Sequence, residues 1–62
     1  MKLPNDPLML LSVVNTQLRD NYSSLEELVA AYDADQTELV QKLENAGYQY
    51  NAETNQFKAV AI

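Results

Sequence analysis

Apolar residues recur three and four positions apart over the first third of the chain, which is the spacing of one face of an α-helix. The pattern is carried by Leu10, Leu11, Val14 and Leu18, and it is widened by Met9 and Val13. Asp6 is a favourable N-cap, and Pro7 suits the first helical position because the N–H that it lacks would have no partner there. We therefore predict a helix over residues 7–20.

Two shorter helices are predicted in the middle of the chain. Ser24 is followed three residues later by a glutamate, the spacing of a capping box, and this predicts a helix over residues 24–32. Asp35 begins the same arrangement and predicts a helix over residues 36–46. The apolar residues that follow these starts at helical spacing are Leu25, Leu28, Val29 and Tyr32, and then Leu39, Val40, Leu43 and Ala46.

Gly47 marks the end of the third helix and a change in the pattern. A glycine at this place favours a left-handed C′ residue, with Tyr48 packing back on Leu43 in a Schellman motif. Beyond it, aromatic and polar residues alternate, which indicates β-strands.

The C-terminal residues predict a β-hairpin. The polar stretch 51–55 has the length of a hairpin loop and contains two asparagines, which tolerate left-handed backbone geometry. We predict strands over residues 48–51 and 56–60.

This order of elements predicts an α+β fold in a single domain spanning residues 1–62. Three helices with a helix-turn-helix-like outline precede a C-terminal two-stranded hairpin, as in a small winged-helix-like domain. At 62 residues the chain can bury one small core but has no room for a deep ligand pocket.

Charge argues against the DNA binding that this outline suggests. The chain has 4 Lys and Arg against 9 Asp and Glu, which gives a net charge of −5. Residues 23–46, the stretch that would face DNA, contain six acidic residues and one basic residue, Lys42. Phosphate binding needs several basic side chains on one face, since counterion release supplies most of the affinity. We therefore do not expect a nucleic-acid partner for the monomer.

Residues for catalysis and metal binding are also scarce. The chain has no His and no Cys, so the usual neutral-pH base and the thiolate nucleophile are missing. Residues 33–44 imitate a calcium loop, but Glu38 occupies the position that needs glycine. We expect no enzyme activity, no cofactor and no metal site. We predict no secretory or membrane segment, and hence a cytoplasmic protein without a membrane partner.

Polar residues of the first helix and the hairpin form a candidate functional set. Asn15 and Arg19 share one helical face, and Asn55 and Gln56 stand where the second strand begins. One interpretation is structural, a polar clasp between the first helix and the hairpin. The Arg19 guanidinium can hold hairpin carbonyls or a carboxylate such as Asp20. The other is a patch that recognises a partner. The candidate residues of that patch are Asn15, Arg19, Tyr50 and Gln56.

The apolar C-terminus adds Val60 and Ile62 as candidates. As an edge strand it would expose unpaired N–H and C=O groups, which favour pairing with a second copy or with a partner strand. Alternatively, Val60 and Ile62 cover the base of the first helix.

Several short blocks of residues follow one another along nearly the whole chain. They are Leu3-Pro4-x-Asp6-Pro7, Met9-Leu10-Leu11-Ser12, Leu18-Arg19-Asp20, Gly47-Tyr48-x-Tyr50 and Asn55-Gln56-Phe57. This arrangement resembles a family of uncharacterised bacterial proteins of about this length. The resemblance implies a bacterial cytoplasmic protein, but it implies no activity and no site residues, because the function of the family is unknown.

Together these patterns predict a small non-catalytic protein-interaction module. Its partner would be an unidentified protein or a second copy, bound through the hairpin edge or the acidic helices. The alternative is a degenerate or dimer-dependent nucleic-acid-binding regulator, whose affinity would fall steeply with salt.

Overall fold

Three helices are followed by one antiparallel hairpin in the computed structural model, which describes residues 3–60. The helices are α1 (Pro7–Asp20), α2 (Leu25–Tyr32) and α3 (Gln36–Asn45), and the strands are β1 (Tyr48–Asn51) and β2 (Gln56–Ala59). The predicted α+β order is confirmed, and the predicted ends agree to within one residue. The third helix is one residue shorter than predicted because Ala46 is its C-cap.

Each helix begins directly after the polar residue that the sequence predicted as its N-cap. The Asp6 side chain accepts from the N–H of Leu8, and the side chains of Ser24 and Asp35 each accept from the N–H three residues on. These bonds satisfy backbone donors that have no partner inside the helix.

A complete capping box also needs the glutamate to accept from the N–H of the N-cap residue, and this part of the prediction is wrong for both helices. The Glu27 carboxylate reaches past Ser24 and accepts from the N–H and hydroxyl of Ser23. Those hydrogen bonds, the one from the Ser23 hydroxyl first, lower the pKa of Glu27. Glu38 does not reach back either, since its carboxylate lies 3.6 Å from the Lys42 ammonium, one helical turn ahead.

One apolar core joins all three helices to the hairpin. Its buried side chains are Leu10, Val14, Leu18, Leu25, Leu28, Val29, Leu39, Leu43 and Phe57. On α1 the buried positions recur every four residues, so Met9 lies about 100° around the helix from Leu10 and is 58% exposed. The prediction that Met9 widens the buried stripe is therefore wrong. Ala46, also predicted in a buried stripe, is exposed because the helix has ended there.

The turn between α2 and α3 is built on a left-handed aspartate that the sequence did not indicate. Asp33 has φ +52° and ψ +44°. Its N–H donates to the carbonyl of Ala30, and the N–H of Ala34 donates to that of Val29. These two bonds make a Schellman ending, which turns the chain directly into the N-cap of α3.

Gly47 takes the left-handed conformation that its position predicts, with φ +94°. Its N–H donates to the Glu44 carbonyl at 3.0 Å. A complete Schellman motif would also need a bond from Tyr48 N–H to Leu43, and this bond is absent from the described part of the chain. The Tyr48 N–H therefore does not close the end of α3.

The first prediction concerns Gly47. We expect Gly47→Ala to lower the free energy of unfolding by about 1 kcal/mol, because an alanine at positive φ is strained. Among residues 3–60, apart from Gly47 and its two chain neighbours, no atom lies within 4 Å of the position that its Cβ would take, so the cost is in the backbone alone. Thermal unfolding should show a melting temperature about 4–8 °C lower. An unchanged melting temperature would contradict the left-handed ending.

Replacing Asp33 by glycine should raise the free energy of unfolding. Asp33→Gly relieves left-handed strain and removes a negative charge from the C-terminal end of a helix, where the helix dipole disfavours it. We expect a gain of about 0.5–1 kcal/mol in chemical denaturation. Asp33→Asn, which removes the charge alone, should give part of that gain. A loss of stability in both variants would argue against this turn.

Candidate functional site

The register of the hairpin gives it two different edges. Tyr48 faces Ala59 and Tyr50 faces Phe57, while the Val60 N–H donates to the Gly47 carbonyl at 2.9 Å. Because N–H and C=O groups alternate in direction along a strand, those of Phe57 and Ala59 point away from β1. We call this side the α1 edge. By the same alternation Tyr48 and Tyr50 point their backbone groups away from β2, on what we call the β1 edge.

A single side chain of α1 closes the α1 edge at Phe57. The Asn15 Oδ1 accepts from the Phe57 N–H at 2.8 Å, and the Asn15 Nδ2 donates to the Phe57 carbonyl at 3.0 Å. A side-chain carboxamide carries the same donor and acceptor as a peptide group. Asn15 thus takes the place of a third strand at one residue, while the Phe57 ring is buried in the core.

Asn55 makes a second connection between the hairpin and α1. Its Nδ2 donates to the carbonyls of Leu18 at 2.9 Å and Tyr22 at 3.0 Å, near the C-terminal end of α1. Its Oδ1 accepts from the Tyr50 hydroxyl at 2.6 Å. Asn55 has φ +54°, a conformation that asparagine tolerates better than most residues, so the hairpin loop can aim this carboxamide at the helix.

Gln56 completes the set. Its Nε2 donates to the backbone carbonyls of Asn15 and Asn55, each at 2.9 Å. We call the side-chain amides of Asn15, Asn55 and Gln56 the amide clasp. The structural clasp that the sequence suggested between α1 and the hairpin is therefore present. Partner binding by Asn15, Tyr50 or Gln56 stays a prediction.

Arg19 lies outside the amide clasp. Its Nε and Nη2 donate to the two carboxylate oxygens of Asp20 at 2.9 and 3.0 Å, the second of the two partners considered for it. The hydrogen bonds to this guanidinium lower the pKa of Asp20. The Arg19 side chain is 69% exposed, so it faces solvent instead of the hairpin.

The C-terminal candidates have different outcomes. Val60 is 43% exposed and extends the hairpin by one hydrogen bond, and its place over the base of α1 stays a prediction. Ile62 lies outside the described residues. The open edge that the sequence placed on the second strand is closed at Phe57 by Asn15. The open groups at Tyr48 and Tyr50 belong to the first strand, and their direction follows only once the register is known.

The cations within residues 3–60 do not form a basic surface. Arg19 is paired with Asp20, and the Lys42 Nζ lies 3.6 Å from Glu38 and donates to Asn5 at 3.2 Å. Lys58 is exposed on the hairpin, opposite Gln49. Two of the three described cations are therefore engaged by polar groups of the chain itself.

A half-open cavity of about 140 Å³ lies between the residues before α1 and helix α3, beside Pro4 and Lys42. Within residues 3–60, carboxylates do not gather in a group of three that could hold a metal ion. None of the helices α1 to α3 combines the length and apolarity needed to cross a membrane.

Comparison with known proteins gives one match. A protein-family model described as "Domain of unknown function (DUF4250)" matches residues 4–57. No curated protein matches the chain, and no solved structure does. The winged-helix-like resemblance therefore stays a prediction.

The amide clasp gives the third prediction. Asn15→Asp puts a carboxylate oxygen against the Phe57 carbonyl, and we expect a loss of about 2–3 kcal/mol at neutral pH. This environment raises the pKa of the new carboxyl in the folded state above its unfolded value of about 3.9. The loss is then full above the folded pKa and disappears as the pH falls below the unfolded pKa, because the protonated carboxyl can again donate to Phe57.

Urea denaturation over a pH series, each point relative to wild type at the same pH, measures this effect. Gln49→Glu makes the same amide-to-acid change at an exposed position and should stay within about 0.5 kcal/mol. Equal losses in the two variants, or a loss that does not recover in acid, would contradict the pairing of Asn15 with Phe57.

Proposed function

Because the chain belongs to the DUF4250 family, a domain of unknown function, we propose its function from its own geometry: a small non-catalytic module that binds a basic protein partner. The bacterial cytoplasm is part of this proposal and rests on the sequence resemblance alone. The observation that carries the proposal is the exposed carboxylates on α2, α3 and the residues that flank them.

The negative surplus of the chain lies on one stretch of its sequence, residues 23–46. All the acids of residues 23–46 are exposed, and they are Glu26, Glu27, Asp33, Asp35, Glu38 and Glu44. Glu26 and Glu44 have no ion-pair partner within residues 3–60. Unpaired surface carboxylates attract cations over roughly a Debye length and so favour a partner of opposite charge.

The same distribution disfavours the nucleic-acid alternative. A duplex reader needs cations free to replace the counterions of the phosphates. Here Arg19 is held by Asp20, and Lys42 lies between Glu38 and Asn5. Phosphates approaching α3 would also meet Glu38 and Glu44, so electrostatic repulsion would oppose nucleic-acid binding by a monomer.

Two selections with the immobilised full chain test this proposal. One uses a displayed library of random peptides, and the other uses a pool of duplex DNA with a random centre, both at physiological ionic strength. We expect the selected peptides to be enriched in Lys and Arg and the duplex pool to show no enrichment. The Glu26→Gln/Glu44→Gln variant, which keeps side-chain size, should lose part of the peptide enrichment.

An enriched duplex pool would contradict the proposal and favour the regulator alternative. Selected peptides without excess positive charge, or no selected peptides, would contradict it as well.

A further inference from the structure

The two edges of the hairpin differ within residues 3–60: the β1 edge is open at both of its outward-facing residues, whereas the α1 edge is open at Ala59 and closed at Phe57. On the β1 edge the outward N–H and C=O groups of Tyr48 and Tyr50 have no hydrogen-bond partner within residues 3–60. On the α1 edge Asn15 occupies the corresponding groups of Phe57. Unpaired strand edges are templates for another strand, so the two edges differ in what they can bind.

We propose that the β1 edge adds an extended, cationic segment of a partner protein as a third strand of the sheet, a claim that rests on the interaction function proposed above. Main-chain hydrogen bonds to Tyr48 and Tyr50 hold such a segment, and its alternating side chains select it.

An open hollow in the surface at the start of β1 indicates the chemistry of the segment. It measures about 330 Å³ and is lined by Glu44, Gly47, Tyr48, Gln49 and Val60. Glu44 has no ion-pair partner within residues 3–60, and Val60 presents an exposed apolar surface. A lysine or arginine fits this combination, since its methylene stem can lie on Val60 while its charged end meets the Glu44 carboxylate.

A negatively charged residue also follows the other end of β1. Glu53 lies in the hairpin loop, and its N–H donates to the Asn51 side chain at the end of β1. Carboxylates therefore precede and follow β1 in the chain, while the Lys58 cation lies on β2 opposite Gln49. Between these carboxylates the half-buried rings of Tyr48 and Tyr50 offer apolar contact on one face of the sheet. The favoured segment alternates basic and apolar residues.

A second copy of this chain is a poorer occupant. Pairing two β1 edges would bring together two chains that each carry a net charge of −5. It would also bring two copies of Glu44 and Glu53 to the same sheet edge. Like charges opposed across an interface disfavour association, so charge selects a basic partner over self-association.

Backbone methylation of the full chain tests the edge without changing any side chain. The 62-residue protein, made by chemical synthesis, carries an N-methyl group at Tyr50 on the β1 edge or at Ala59 on the α1 edge. The probe is a fluorescent peptide of alternating lysine and valine, with a glutamate–valine peptide as its acidic counterpart. Neither methylated N–H has a partner within residues 3–60, so circular dichroism should show both proteins folded.

We expect methylation at Tyr50 to weaken binding of the lysine–valine peptide about tenfold or more, since it removes a hydrogen bond and blocks the approach of a strand. Methylation at Ala59 should leave the affinity unchanged, and the glutamate–valine peptide should not bind. Glu44→Gln should weaken binding several-fold and should weaken it less at high salt.

Each of the following results would overturn this inference. Methylation at Tyr50 and at Ala59 could weaken binding equally, or neither could weaken it. The unmodified protein could fail to bind the lysine–valine peptide, or Glu44→Gln could leave the affinity unchanged. Sedimentation could show a dimer that methylation at Tyr50 dissociates. If the library selection still yields cationic peptides, each of these leaves the proposed function standing and removes only the β1 edge as its site.

Discussion

The pairing of the Asn15 carboxamide with the backbone of Phe57 is the interaction on which the rest of this structure depends. A hairpin with strands of four residues is marginal on its own in water. Here its second strand is held at one residue in two ways: the ring of Phe57 is buried among the helices, and its N–H and C=O are bonded to α1. Burying the ring brings the Phe57 backbone against a helix, where an unpaired N–H or C=O would be costly. Asn15 removes that cost, so the packing of the core and the pairing of the backbone support each other.

This pairing also makes the molecule asymmetric. The helix that carries Asn15 closes the α1 edge of the hairpin at Phe57, and the amides of Asn55 and Gln56 fasten the loop side of β2 to the same helix. The other edge keeps its outward backbone groups, and acids stand at both of its ends. A chain this small has no spare interior for a binding pocket, so recognition has to use its surface and its edges. The charge balance is the ground on which we propose basic proteins as partners.

Much of the fold could be predicted from the sequence because its signals are local. Asp6, Ser24 and Asp35 cap helices through bonds that span two or three residues, and Gly47 ends a helix through its own backbone freedom. Asp33 was missed because aspartate adopts the left-handed conformation only when its neighbours require it. The exposure of Met9 depends on how α1 is rotated against the core, which no local pattern states.

The candidate site depends on contacts between distant residues, so less of it could be predicted. The spacing of Asn15 and Arg19 indicated a polar face on α1, but the two side chains take different partners. Asp20, the next residue in the chain, captures the Arg19 guanidinium, whereas Asn15 is short and held against the hairpin 42 positions away. Which edge of the hairpin stays open follows from the strand register, and the register is set by the loop and by the burial of Phe57.

Amide hydrogen exchange by NMR tests the central claim most directly, because Asn15 accepts a hydrogen bond from one of two N–H groups on the same edge and not from the other. The Phe57 N–H should exchange only when the hairpin leaves α1, and so with a free energy of opening close to that of global unfolding. The Ala59 N–H, two residues on along the α1 edge, has no partner within residues 3–60 and should exchange much faster. Equal and fast exchange at Phe57 and Ala59 would contradict the pairing and, with it, this account of the hairpin.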